Sequence, residues 1–164
     1  MKTKTTNILL GSAILVFAIV AILVLFAAMF NYQDDYGAGW GSGFGVMFGT
    51  AQNGSFHPIP LLIVAFVVEI VGGLLGLIGA FLPRKIGLIL NIAAAIFLVA
   101  GGVLFLFGVN LFTGANTDSV ELTKLLQRNP GAITLGAAPI TNAVFAFLGG
   151  LIAIYGAYSS LQAN

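Results

Sequence analysis

Four long runs of apolar residues follow one another along the chain, separated by two polar loops and one short turn. A membrane core about 30 Å thick needs roughly 20 apolar residues of helix, and each run is long enough. We therefore predict an all-α fold, a transmembrane four-helix bundle that forms a single domain. The predicted spans cover about 8–30, 58–82, 86–108 and 139–158.

The composition indicates a lipid environment. Apolar residues make up 59% of the chain and charged residues 7%, whereas a soluble domain carries about a quarter charged residues. The net charge of +1 is far from the basic footprint that binding to nucleic acid requires, which excludes that partner. The chain has no cysteine, so disulfides, thiolate nucleophiles and cysteine-ligated metals are excluded as well.

Basic residues predict the orientation of the spans. They flank the N-terminus and form the turn between the second and third spans, without an acidic residue beside them. Because short cytoplasmic flanks are enriched in Lys and Arg, we expect both termini in the cytoplasm and the long loops, about 31–57 and 109–138, outside the cell membrane. The residues of this basic group are Lys2, Lys4, Arg84 and Lys85.

One helical hairpin can be traced twice in the sequence. Gly72-Gly73-Leu74 matches Gly149-Gly150-Leu151, and Pro58-Ile59 matches Pro139-Ile140. A duplication would relate the two hairpins by a pseudo-two-fold axis along the membrane normal. Chance matches between glycine-rich apolar spans explain the same similarity, and both explanations stay open.

Small residues form a stripe on the second span and another on the fourth. They let helix backbones approach closely, and close packing joins helices in lipid. We expect both stripes to line the centre of the bundle; the alternative is that one of them docks another subunit. The helix-packing residues predicted here are Gly72, Gly73, Gly76, Gly149 and Gly150.

Glu69 is the only ionisable residue well inside a predicted span. A charged carboxylate there is costly, so we expect Glu69 to be neutral or closely partnered, on the inward face that carries the glycines. Asn142 in the fourth span is the expected partner, and Asn91 in the third span is the weaker candidate. The group is either a structural or partner-docking link or a carrier of a proton or cation.

The outer loops contain the remaining candidates. Alternating glycines from Gly37 to Gly45 predict an extended or irregular segment at the headgroup level. The second loop predicts a short helix, capped by Thr117 or Asp118 and ended by Asn129-Pro130. Its apolar strip makes it a lid on the bundle or a partner-binding helix. The predicted outer-loop interaction residues are Trp40, Phe44, Leu122, Leu125 and Leu126.

The sequence predicts no metal or cofactor site. His57 is the only histidine, and Asp34 and Asp35 are the acids that could join it. One histidine with two adjacent acids is a weak pattern for a metal, and a solvated interfacial histidine is the simpler interpretation.

Four spans, cytoplasmic termini, a long first outer loop with a tryptophan, and a short basic inner turn resemble the claudin and tetraspan layout. Gly39-Trp40-Gly41 is the nearest match to the Gly-Leu-Trp-type motif of claudin-like first loops. Those loops continue with a cysteine pair, which this chain lacks, so their disulfide-stapled outer sheet is not implied here. The stretch 76–87 also resembles small four-span bacterial proteins.

Three functions follow from these features. The first is a non-catalytic accessory, scaffold or interaction subunit whose partners are membrane lipid and another membrane protein or a second copy. The second is a small transporter or proton or cation carrier that uses Glu69. An enzyme is disfavoured because chemistry needs convergent groups, and the spans offer one carboxyl and two amides.

Overall fold

The computed structural model describes residues 2–32, 40–50 and 56–162, apart from the side chains of residues 2, 3, 32, 40, 121 and 125, and it is mostly helical. Four of the described helices are long and apolar enough to cross a membrane, which confirms the prediction of a helical multi-pass membrane protein. In chain order the elements are α1 (Lys2–Leu23), β1 (Ala28–Tyr32), β2 (Trp40–Ser42), α2 (Gly43–Met47), α3 (Pro60–Phe81), α4 (Arg84–Leu106), α5 (Gly108–Ala115), α6 (Val120–Arg128), β3 (Ile133–Leu135) and α7 (Ala137–Gln162), with a 3-10 turn at Val24–Phe26.

The first predicted span is too long at its C-terminal end. It was expected to reach Phe30, but α1 ends at Leu23 and Ala28–Tyr32 forms strand β1. Met29 and Phe30 are fully buried, so the protein itself covers their apolar side chains. Hydropathy alone does not distinguish such burial from contact with lipid.

The long helices pack in a closed order. α1 and α4 each lie against both α3 and α7. The turn between α3 and α4 is only Leu82 and Pro83, which makes these two helices antiparallel neighbours. One end of the four helices, the sheet end, carries the three strands. The other, the termini end, holds the start of α1 and the end of α7.

The glycines of α3 are in contact with both of its neighbours. A Cβ atom added at Gly73 would lie 2.6 Å from the Cβ of Ala18, and one added at Gly76 would lie 2.6 Å from a methyl carbon of Ile14. Gly72 faces α4 instead, where an added Cβ would meet the Leu98 side chain at 3.1 Å. Because glycine has no side chain, α3 can approach α1 and α4 at the same time.

The glycines of α7 are used in the same way. A Cβ atom at Gly149 would meet Leu98 at 3.1 Å, and one at Gly150 would meet Val99 at 3.0 Å. Both glycines are buried, as are those of α3. The small stripes therefore face helices of the same chain rather than a free surface.

An antiparallel sheet in the order β2-β1-β3 lies at the sheet end, and the sequence did not predict it. In the central strand, Phe30 pairs with Trp40 on one side and with Leu135 on the other. The expectation of an extended or irregular segment over 37–45 agrees with β2 but is wrong for Gly43–Gly45, which form the start of helix α2 after the Ser42 cap. Residues 33–39 lie outside the described part of the chain.

Close backbone contact, without a disulfide, holds β3 and the start of α7 against β1. The Gly136 amide donates to the Met29 carbonyl oxygen at 2.8 Å, and a Cβ atom at Gly136 would overlap the carbonyl oxygen of Ala28. The side-chain amide of Asn31 adds a bond to the carbonyl oxygen of Leu135 at 3.2 Å. Only glycine at position 136 permits this approach.

The helix predicted in the second outer loop is α6, and its cap differs from the prediction. The Leu122 amide donates to the hydroxyl oxygen of Ser119 at 3.3 Å, so Ser119 caps the helix instead of Thr117 or Asp118. Serine is as suitable a cap as aspartate, and the sequence alone does not fix which of adjacent candidates is used. The chain before it forms a further helix, α5, where only loop was expected.

We predict that Gly73→Ala destabilises the protein by about 1–3 kcal/mol, because its methyl group would force α1 and α3 apart. Gly114→Ala in α5 is the matched control, since no atom lies within 4 Å of an added Cβ there. Thermal unfolding in detergent should show a lower Tm for the first variant and an unchanged or higher Tm for the second. Equal shifts would contradict the packing described here.

Candidate functional site

Glu69 and Asn142 form a buried polar pair between α3 and α7. Both residues are 0% exposed. The Asn142 side-chain Nδ2 donates to Glu69 Oε2 at 2.9 Å and to the backbone carbonyl oxygen of Ala21 at 3.0 Å. A single amide therefore joins α7 to both α3 and α1, in a medium that offers polar groups no alternative partner.

The remaining long helix, α4, provides the space that this pair occupies. A Cβ atom at Gly101 would overlap Cγ of Glu69 and lie 2.9 Å from its Oε1. It would also lie 3.1 Å from the carbonyl oxygen of Ala65 on α3. Gly101 of α4 is thus the surface against which the carboxyl group rests, and all four long helices meet at this site.

Two oxygen atoms of the pair, Glu69 Oε1 and Asn142 Oδ1, have no hydrogen-bond donor among the described residues. Both are buried, and a buried acceptor without a donor costs free energy. The described part of the chain places no basic side chain against Glu69. The ion pair found in that part joins His57 to Asp118 in the loops, away from Glu69. These two oxygen atoms can therefore bind a proton or accept a hydrogen bond from a water molecule.

Asn91 lies apart from Glu69, in a second polar region nearer the termini end. It is 8% exposed, and a Cβ atom at Gly156 would lie 3.3 Å from its Nδ2. Together with Asn7 and Ser160 it lines a narrow pocket. Of the two candidate partners named from the sequence, the structure therefore places Asn142 beside Glu69 and Asn91 elsewhere.

The outer-loop candidates lie largely inside the sheet end. Leu122 is 6% exposed, and Leu126 packs against the same apolar core. Phe44 packs between Phe26, at a ring distance of 4.8 Å, and Phe66, at 5.5 Å. This placement favours the interpretation of α6 as a lid on the helices. The side chains of Trp40 and Leu125 lie outside the described residues.

His57 contacts the second loop. Its Nε2 lies 3.0 Å from Asp118 Oδ2, and its backbone amide donates to Asn116 Oδ1 at 2.7 Å. The hydrogen bond from His57 holds the pKa of the Asp118 carboxyl below its usual value. Among the described residues no three His, Cys, Asp or Glu side chains cluster, and Asp34 and Asp35 lie outside them.

Sequence reasoning missed two residues that organise these sites. Gly101 belongs to a Gly101-Gly102 pair in the third span, and that pair could have marked a close contact. Asn116 is 1% exposed and uses both ends of its amide, since it also donates to the carbonyl oxygen of Phe112 at 2.9 Å. No local sequence signal distinguishes such a buried asparagine from an ordinary loop residue.

Comparison of the chain with protein-family models, with curated proteins and with solved structures gives no match. The site must therefore be interpreted from its own chemistry. One carboxyl group and one amide can hold a proton or join helices. Acid–base or nucleophilic catalysis needs a second reactive group, and the described contacts of Glu69 include none.

We predict that Glu69 and Asn142 are energetically coupled. Glu69→Ala and Asn142→Ala should each lower stability, and the double variant should lose less than the sum, with a coupling of about 1 kcal/mol, as for hydrogen bonds between membrane helices. The free energy of unfolding of the four proteins in detergent measures this coupling. Additive losses would show that the bond contributes nothing to stability.

Proposed function

We propose that this chain is a non-catalytic membrane protein that acts as an accessory, scaffold or interaction subunit of a membrane complex. The observation that carries the proposal is the enclosure of its intramembrane carboxyl group. Glu69 is 0% exposed and hydrogen-bonded to Asn142, so it serves contacts between helices of the chain. A group held in this way supports assembly and is not presented to a substrate.

The proposal includes a four-helix bundle of claudin-like layout. A three-stranded sheet at one end of four spans supports this layout, and close backbone contact at Gly136 holds the sheet against the start of α7 without a disulfide. The helix contacts also support a duplication. Exchanging α1 with α4 and α3 with α7 leaves the set of neighbours unchanged, as a pseudo-two-fold axis requires.

Charge supports a cytoplasmic location for the termini. Lys4, Arg84 and Lys85 all belong to the termini end, and the sequence places no acidic side chain there. The sheet end then faces outward and is the surface for recognition. Val120 on α6 is 63% exposed while Leu122 faces the core, which leaves an apolar residue open to a partner.

We predict that a photo-crosslinking residue at Val120 joins the chain to another membrane protein or to a second copy in intact cells. The same residue at Lys85, which is exposed at the opposite end, is the control for non-specific collision. A protein adduct at position 120 but not at position 85 is expected. If neither position yields a protein adduct and gentle extraction always returns the chain alone, the accessory role is wrong.

A second function, a proton or cation carrier, is favoured by one observation. Glu69 Oε1 and Asn142 Oδ1 are buried acceptors without a donor among the described residues. A proton bound at this pair supplies the missing hydrogen, and its release to either side would make the pair a carrier. The enclosure of both side chains means that such a carrier has to open its helices in each cycle.

We predict for this second function that Glu69→Gln abolishes a proton flux in proteoliposomes, because glutamine keeps the size of the side chain but has no carboxyl group that can bind and release a proton. Glu121→Gln, the same change outside the long helices, should leave the flux intact. A Tm equal to that of the unmodified protein would show that each variant is folded. No flux in the unmodified protein, or an unchanged flux in Glu69→Gln, removes the carrier function.

A further inference from the structure

A cavity of about 590 Å³ opens at the termini end, where all four long helices contribute to its wall. Lys4 and Asn7 line it from α1, Arg84 from the start of α4, and Ser160 from the end of α7. The helix ends are the level at which lipid headgroups meet a membrane protein. The cavity therefore presents polar and basic side chains at a depth where a charged ligand is available.

The two ionisable side chains that line the cavity are both basic. Lys4 and Arg84 line it, and none of its lining residues is acidic. Of the five acidic residues in the chain, Glu69 lies in the middle of α3 and the other four belong to the two long loops. Two cations near an apolar interior attract an anion more strongly than they would in water.

Arg84 is held in place and keeps donors for a ligand. Its Nε and Nη2 donate to the backbone carbonyl oxygens of Ser160 and Leu161 at the end of α7. A guanidinium group has five N–H bonds, so the Nη1 hydrogens stay available. Arg84 also begins α4, where no side chain caps the free backbone amides. The positive end of the α4 dipole therefore lies at the cavity, beside the negative ends of α3 and α7.

A buried amide lies in a narrow pocket beside the cavity. Asn91 is 8% exposed and lines a narrow pocket of about 10 Å³ that shares Asn7 and Ser160 with the larger cavity. Within the described part of the chain no hydrogen bond reaches the Asn91 side chain. A pocket of that volume holds about one water molecule, which can connect the amide to a ligand oxygen.

We propose that this cavity binds the phosphate group of an anionic ligand, with Lys4 and Arg84 as its charge partners. The same chemistry is offered by the headgroup of an anionic phospholipid and by a soluble phosphate ester. Phe81 and Leu82 beside the cavity are exposed and apolar, a surface suited to acyl chains. The inference requires that the helices span a membrane, but not the orientation or the partner role proposed above.

The test compares two substitutions that remove the same charge at the same end of the protein. Lys4→Gln removes a cation that lines the cavity, whereas Lys85→Gln removes one that does not line it. Binding to the detergent-solubilised full chain is measured by native mass spectrometry with phosphatidylglycerol, with phosphatidylcholine as the neutral lipid, and with glycerol phosphate as the soluble ester. The Tm of each variant shows that it is folded.

We expect phosphatidylglycerol to bind more tightly than phosphatidylcholine. Lys4→Gln should weaken the binding of phosphatidylglycerol about five-fold, whereas Lys85→Gln should have less effect. Saturable binding of glycerol phosphate with the same dependence on Lys4 would support the site and identify a soluble ester as its ligand. Equal losses of affinity in the two variants would show that binding depends only on general surface charge, which would overturn the proposal. Binding of neither anion would overturn it as well.

Discussion

The constraint on which this structure depends is the absence of a hydrophobic force between helices in lipid. Acyl chains are as apolar as leucine, so helices are joined by dispersion at close range and by buried hydrogen bonds. The chain meets this constraint with glycines directed at its own helices: Gly73 and Gly76 lie against α1, and Gly72 lies against α4. Larger residues on the outer faces of the long helices are left to the lipid.

The same constraint explains why the polar pair lies where it does. A carboxyl group inside the membrane needs a partner, and the junction of the four long helices supplies an amide from α7 and room against Gly101 of α4. Asn142 bonds to Glu69 and to the Ala21 carbonyl oxygen, so one side chain connects three helices. Close packing and hydrogen bonding therefore support each other at this point.

The four spans and the helix face of Glu69 could be predicted because hydropathy and helical periodicity are local properties of the sequence. The sheet could not, since the run that ends at Phe30 is equally apolar whether lipid or protein covers it. Strands β1 and β3 pair residues more than a hundred positions apart, such as Phe30 and Leu135. Gly101 was missed for a related reason: the Gly101-Gly102 pair indicates a close contact within α4, but it does not identify Glu69 of another helix as the partner.

The central claim is that Glu69 and Asn142 are bonded to each other where the four helices meet. Solid-state NMR of the protein in lipid bilayers can measure the dipolar coupling between the Asn142 side-chain nitrogen and the Glu69 carboxyl carbon. The account predicts a measurable through-space coupling, because the amide nitrogen lies 2.9 Å from a carboxyl oxygen. A folded protein in which this coupling is absent would contradict it.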